Sequence, residues 1–158
     1  MADTPELRPL RDDEFEAFSA RITTEYAKEI SELGDTPVEA ARRRAEASMR
    51  EVLPDGLATP GHWINVLELG GERIGLLWLA ERTMDERQVI FIYDVEIDAA
   101  FRGRGLGRAA MLLAEREAQE RGIRRIELNV FGGNSVARKL YLSLGYVERA
   151  ILMGKDLA

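Results

Sequence analysis

Between Asp12 and Leu33 the apolar residues Phe15, Phe18, Ile22, Tyr26 and Ile30 recur at three- and four-residue intervals, which is the period of a helix with one buried face. The spacing predicts one long helix or two short ones, stopped by Gly34. Ahead of it, Glu6 to Leu10 reads as a short edge strand. Behind it, Thr36-Pro37-Val38-Glu39 has the form of an N-cap, a proline at the first helical position and a capping-box glutamate. That helix should run to about Val52 and end at Pro54-Asp55-Gly56. The pattern then changes to strands. Trp63 to Leu69 and Arg73 to Ala80 flank Gly70-Gly71, a pair that reaches the positive φ values of a tight hairpin. Gln88 to Ile97 contains five apolar residues in a row, Val89 to Tyr93, as expected of a central strand covered on both faces. Asp94 and Glu96 introduce polarity near its end, so its surroundings must change there. Leu106, Ala109, Ala110, Leu113 and Ala114 form a helical stripe reaching about Arg121, with Gly122 as its cap. Ile126 to Phe131 reads as a strand. Asn134 opens a short helix with Val136, Ala137, Leu140 and Leu144 inward, Gly145 stops it, and Tyr146 to Met153 is expected to return as a last strand. The order predicts an α/β (α+β) class, a mixed sheet flanked by helices.

Composition narrows the chemistry. With 158 residues and no repeat or linker-like tract, residues 1–158 are expected to form a single domain. The chain has no cysteine, which excludes thiol nucleophiles, disulfides and thiolate metal sites, and His62 is its only histidine, which excludes clustered-histidine metal sites. No G-x-S-x-G turn accompanies His62, so a serine hydrolase is a poor fit. The net charge of −6 argues against a nucleic-acid binder. No apolar run is long enough for a membrane span, and Met1-Ala2-Asp3-Thr4-Pro5 lacks the basic-then-apolar form of a leader. A cytoplasmic location, no membrane and no metal are therefore the expectations.

Against this acidic background, Arg102-Gly103-Arg104-Gly105-Leu106-Gly107-Arg108 joins the central strand to the amphipathic helix. Glycines let successive N–H groups converge, and the first helical turn adds unpaired donors and the positive end of its dipole, so the segment suits phosphate groups. A tight connection with solvated arginines is the plain alternative. Two nucleotide-binding patterns fail on spacing. The glycines follow G-x-G-x-G and not G-x-G-x-x-G, Glu127 lies inside a strand rather than at its end, and no Gly-Lys-Ser or Gly-Lys-Thr is present.

Arg102-x-x-Gly105-x-Gly107 after an apolar strand, then a further strand, Asn134, Ala137, Tyr141 and Leu144-Gly145-Tyr146, resembles the GNAT superfamily of acyl-CoA N-acyltransferases. The likeness is strongest from about Ile90 to Val147. It implies a central, mixed and mostly antiparallel twisted sheet, with acetyl-CoA as cosubstrate. By position, the amides of Gly103, Arg104, Gly105, Leu106, Gly107 and Arg108 would hold its pyrophosphate beside Arg102, and the backbone of Val95, Glu96 and Ile97 would pair with its pantetheine arm. Asn134 matches a residue near the pantetheine and is equally a plain helix N-cap. Tyr141 matches the tyrosine that protonates the departing thiolate. A phenol has an ordinary pKa near 10 against roughly 8.5 for a thiol, so a neutral tyrosine is a competent donor; an ordinary core tyrosine fits the helical spacing as well. Arg138 and Lys139 are placed either to reach the ligand's phosphates or to stand solvated on the helix, and solvation is the preferred reading.

The general base has no aligned counterpart. The positions that commonly supply it in the family hold Phe91, Tyr93 and Asn129. Glu96 and Asp94 are the nearest carboxylates, Glu96 being preferred for its place beside the thioester, with solvated carboxylates and a water relay as alternatives. The acceptor is expected between the first two helices and the sheet, near Glu25, Tyr26, His62 and Trp63. The expected activity is transfer of an acetyl group from acetyl-CoA to a small-molecule amine or a peptide by direct attack in a ternary complex. The alternative is a catalytically silent acyl-CoA sensor or partner-binding module. Homodimers are common among such domains, but no interface is legible in the sequence.

Overall fold

The computed structural model describes residues 4–158; Met1-Ala2-Asp3, read above for a leader signal, lies outside them. Five strands form one sheet in the order β1-β2-β3-β4-β5: Glu6–Pro9, His62–Leu69, Glu72–Met84, Arg87–Ile97 and Ile126–Leu128. The first four are antiparallel neighbours, and β5 joins β4 in parallel, as a chain returning through a helix must. Helices α1 (Asp12–Gly34) and α2 (Val38–Val52) cover one face, while α3 (Leu106–Glu120) and α4 (Ser135–Ser143) cover the other. The expected class, a mixed and mostly antiparallel sheet flanked by helices, is what the chain forms.

Each face has its own core. Leu67, Ile74, Leu77, Leu79, Ile90 and Ile92 meet Ala110, Met111, Leu113 and Ala114 of α3. On the opposite face Ile64, Val66, Leu76 and Trp78 meet Phe18 and, at its margin, Ile22, Met49 and Val52. Arg8 ties three elements together, pairing with Glu68 at 2.6 Å and Glu14 at 2.9 Å. The Glu14 carboxylate also accepts from the Arg11 N–H, and these contacts hold its pKa down to about 2.

β4 switches faces partway along. Leu79 opposes Ile92 and Trp78 opposes Asp94, so Tyr93 is an extra residue in the ladder. Strict alternation would place Asp94 with Ile90 and Ile92 against α3. The bulge resets the phase and delivers Asp94 and Glu96 to the α1 side. This is the physical form of the change of surroundings that the sequence implied.

Several local expectations need correction. The Thr36 cap and Glu39 capping box do not form, because Pro37 takes the N-cap position; the box-like bond is instead at α1, from Arg11 N–H to Glu14. β3 runs on to Met84, turning through Asp85 and Glu86 with φ of 48° and 62°. β5 stops at Leu128 rather than Phe131. Val136 is exposed on α4, not inward. Tyr146 to Met153 forms no strand. No helix of the described residues is long and apolar enough to cross a membrane.

Candidate active site

β4 and β5 pair over only three positions, Ile90 with Ile126, Phe91 with Glu127 and Ile92 with Leu128. Beyond Ile92, β4 continues for five residues beside β3 alone, so the backbone edge of Val95, Glu96 and Ile97 that faces β5 has no strand partner among the described residues. Gly75 permits close approach on the other side; a Cβ there would lie 2.0 Å from the Glu96 carbonyl oxygen.

That strand leads to the glycine turn. Gly103 and Gly105 adopt φ of +75° and +77°, a region side chains resist, and Gly105 caps α3. No acidic residue stands in the first turn of α3, whereas the first turn of α1 has Asp12, Asp13 and Glu14. α1 neutralises its own dipole, and α3 leaves its positive end open. Among the described residues, no acceptor meets the N–H groups of residues 103 to 108. The arginines around the turn differ in their engagements. Arg102 Nε donates to the Ile97 carbonyl at 2.8 Å, Arg108 Nη1 donates to Ser143 Oγ at 3.1 Å, and Arg104 lies over the Phe101 ring.

On the α1 side of β4, one guanidinium gathers three carboxylates. Arg21 donates to Asp94 Oδ2 and to Glu25 Oε2, each at 2.9 Å, and also pairs with Glu96, whose other oxygen lies 3.8 Å from Arg102. Burial pushes the Asp94 and Glu96 carboxyls above their ordinary range despite the opposing pull of Arg21. Glu29, one turn beyond Glu25, is raised by burial and by its acidic neighbours. Arg21 was absent from the sequence reading. Its signal was the stripe Arg21, Glu25 and Glu29 at four-residue intervals beside Ile22 and Tyr26, but its partner Asp94 is 73 positions away.

A cleft of about 410 Å³ opens where the strands part. Glu25, Tyr26, Asp94, Val95, Asn134 and Tyr141 all line it, so the residues expected on the acceptor side and those expected on the donor side face one space. Trp78, Tyr93 and Phe91 form an aromatic wall, with Trp78 stacked on Tyr93 at 4.6 Å between ring centroids. His62 and Glu96 are not among the lining residues. His62 stands behind the wall, accepting at Nδ1 from Trp78 Nε1 at 3.0 Å, and burial lowers its pKa. This bond assigns the ring proton to Nε2. Trp63 packs at the edge of the α3 core with Arg121 over its ring. Asn134 caps α4, its Oδ1 accepting from the Ala137 N–H at 3.2 Å, and lines the cleft as well, so its two readings coexist. Tyr141 likewise packs on the α3 core and reaches the cleft. Burial and the Asp94 charge raise its pKa, which keeps the phenol protonated. Arg138 is not merely solvated: its Nε donates to Glu148 at 3.1 Å. Among the described residues no cluster of three or more His, Cys, Asp or Glu is arranged to hold a metal ion.

Known proteins resemble this chain in both sequence and fold. Residues 12–146 match the model of the "Acetyltransferase (GNAT) family". Two Bacillus subtilis proteins named as uncharacterized N-acetyltransferases, YycN and YdgE, are 34% and 32% identical, each over 96% of this chain and 97% of the relative. The crystal structure of YycN superposes with a TM-score of 0.92 at 33% identity, covering 98% of this chain and 99% of that one. A Pyrococcus furiosus structure described as a "putative acetyl transferase" follows at a TM-score of 0.68 and 27% identity, over 97% and 99% of the two chains.

Proposed function

The chain belongs to the acetyltransferase (GNAT) family, and from that premise we propose that it transfers the acetyl group of acetyl-CoA to a primary amine by direct attack within a ternary complex. One observation carries the reading: the unpaired β4 edge at Val95 to Ile97 runs into an open set of N–H donors at the α3 N-terminus, with Tyr141 in the adjoining cleft. These features suit acetyl-CoA. The amides of residues 103 to 108 would hold its pyrophosphate, with Arg104 the arginine of the turn that has no polar side-chain contact among the described residues. The backbone of Val95, Glu96 and Ile97 would take the pantetheine arm as a sheet edge takes a strand, with Asn134 beside it.

Acetyl-CoA, when bound, supplies an activated thioester; the protein supplies position and proton traffic. Holding amine and thioester together removes an entropic barrier of several kcal/mol, with ~7 kcal/mol attainable at good alignment. N–H donors of the β4 edge polarise the carbonyl as charge develops. Tyr141, neutral because it is buried, gives its proton to the departing sulfur. The amine's proton passes to the carboxylate pair. Glu96 was the sequence preference, but Asp94 is the member that lines the cleft, and Arg21 joins the two. Glu25, Glu29 and Tyr26 favour a cationic acceptor, with the aromatic wall covering its apolar part.

Initial-velocity kinetics with both substrates varied test the mechanism. Intersecting double-reciprocal lines are expected. Parallel lines, or an isolable acetyl-enzyme, would overturn direct attack. A silent acyl-CoA-binding module is disfavoured by the position of Tyr141, and it predicts acetyl-CoA binding with no transfer to any amine.

A further inference from the structure

Arg82 is the only cation among the described residues that line the cleft, and none of those residues pairs with it through an acidic side chain. Elsewhere the chain pairs its arginines readily: Arg8 with Glu14 and Glu68, Arg21 with Asp94, Arg121 with Glu117. The Arg82 guanidinium lies over the aromatic wall instead, its carbon 4.7 Å from the Phe91 ring centroid and 5.8 Å from that of Tyr93. A guanidinium set over a ring keeps its in-plane N–H groups free, and these match the two oxygens of a carboxylate. Its charge is felt nearby. After burial, it is the second cause that holds His62, behind the wall, below its ordinary pKa.

Opposite charge lines the same cleft. Glu25, Glu29 and Asp94 stand close enough to act on one another, and burial raises the carboxyls of Glu29 and Asp94, a cost that a bound cation offsets. The strand ladder sets the spacing between the two signs. Phe91, which lies under Arg82, opposes Ala80, whereas Asp94 opposes Trp78. These positions are two β3 residues apart, about 7 Å along the strand. Between them runs the stacked wall of Tyr93 and Trp78. The cleft thus offers an anion-binding group, an apolar surface and a cation-binding group in that order.

We propose that the acceptor is an amine carrying a carboxylate about 7 Å from its nitrogen, with the amine entering among Glu25, Glu29 and Asp94 and the carboxylate pairing with Arg82. This rests on the transferase reading above and narrows its acceptor from primary amines in general to ω-amino acids. The methylenes between the two charges lie along the wall. The α-amine of an amino acid is too close to its own carboxylate to span the gap, and an amine without the anion leaves Arg82 unanswered.

ε-Aminocaproate and its amide, equal in length and differing in the carboxylate, are the probes. Wild type should take the acid with a KM about 10-fold below that of the amide at similar kcat, and Arg82→Gln should remove the difference by raising the KM of the acid alone. Arg82 is exposed and touches only rings, so the variant should fold. Calorimetry with CoA bound in place of acetyl-CoA reads the same preference without turnover, which separates the two readings. A preference for the acid that Arg82→Gln abolishes upholds the assigned ligand class even where no acetyl group is transferred, and the transferase reading alone then fails. Equal KM and affinity for acid and amide in wild type would overturn the proposal. So would an equal loss of both in Arg82→Gln, the result expected if Arg82 only covers the rings.

Discussion

Burial raises the pKa of Tyr141, Asp94 and Glu96 alike, and this makes the proposed proton traffic testable one side chain at a time. Tyr141→Phe removes the donor without changing the packing, so kcat should fall about 100-fold while acetyl-CoA affinity holds; unchanged turnover at saturating acceptor would contradict the role. Both carboxyls titrate above their ordinary range, so kcat/KM should fall as pH drops through that raised range, where the proton acceptor is lost. Asp94→Asn should flatten that acidic limb and lower the rate, and a limb that survives would remove Asp94 from the account. The stability signs differ between sites. Raised carboxyls bind protons in the folded state that the unfolded chain lacks, so their unfavourable contribution fades on acidification towards the unfolded pKa. Glu14 is the reverse: its stabilisation is full above its unfolded value of 4.5 and disappears as pH falls towards about 2. Urea midpoints of Glu14→Gln and wild type should therefore converge over that interval, and a constant gap would refute the linkage.

Among the elements, β4 does most to build the site, through features of unequal legibility. Its apolar run identified a central strand, and the Leu106 stripe identified α3, because periods of 2 and 3.6 are local signals. The bulge at Tyr93 was not legible, since register is decided by pairing with Trp78 and Leu79 across the sheet. Arg21 was missed for the same reason, its partners being distant in sequence. The expected strand from Tyr146 to Met153 finds no partner among the described residues, and a short apolar run does not by itself say whether a neighbouring strand will take it. Gly75 tests the β3 and β4 approach. Gly75→Ala would force a Cβ against the Glu96 carbonyl, so it should cost more than ~2 kcal/mol in denaturant unfolding and weaken acetyl-CoA binding by moving the β4 edge. Normal stability and affinity would show that the strands have slack there. The hairpin at Asp85 and Glu86 should respond oppositely. Glu86→Gly relieves a non-glycine residue at φ 62° and should stabilise by about 0.5 kcal/mol, read as a raised Tm; a lowered Tm would contradict the turn geometry.

For the whole molecule, the two faces of the sheet divide the work. In the proposed reading the open backbone donors at the α3 N-terminus would take a phosphate-bearing acyl donor and the carboxylates on the α1 side would take a cation, the cleft lying where β4 parts from β5. Net charge and the missing cysteines bounded the chemistry from composition alone, and the glycine turn with Asn134 and Tyr141 carried the resemblance on which the proposed donor side rests. The proposed acceptor side was less legible, because helices with solvated glutamates are common and only the folded chain shows Glu25, Glu29 and Asp94 lining one cleft. The most direct test is to incubate the protein with acetyl-CoA and a pooled panel of amines and peptides, following thiol release and searching for acetylated products by mass spectrometry. The account predicts at least one cationic amine gaining a single acetyl group in step with thiol release. Acetyl-CoA binding without thiol release for any amine would contradict catalysis, and absence of binding would contradict the phosphate cradle on which the account rests.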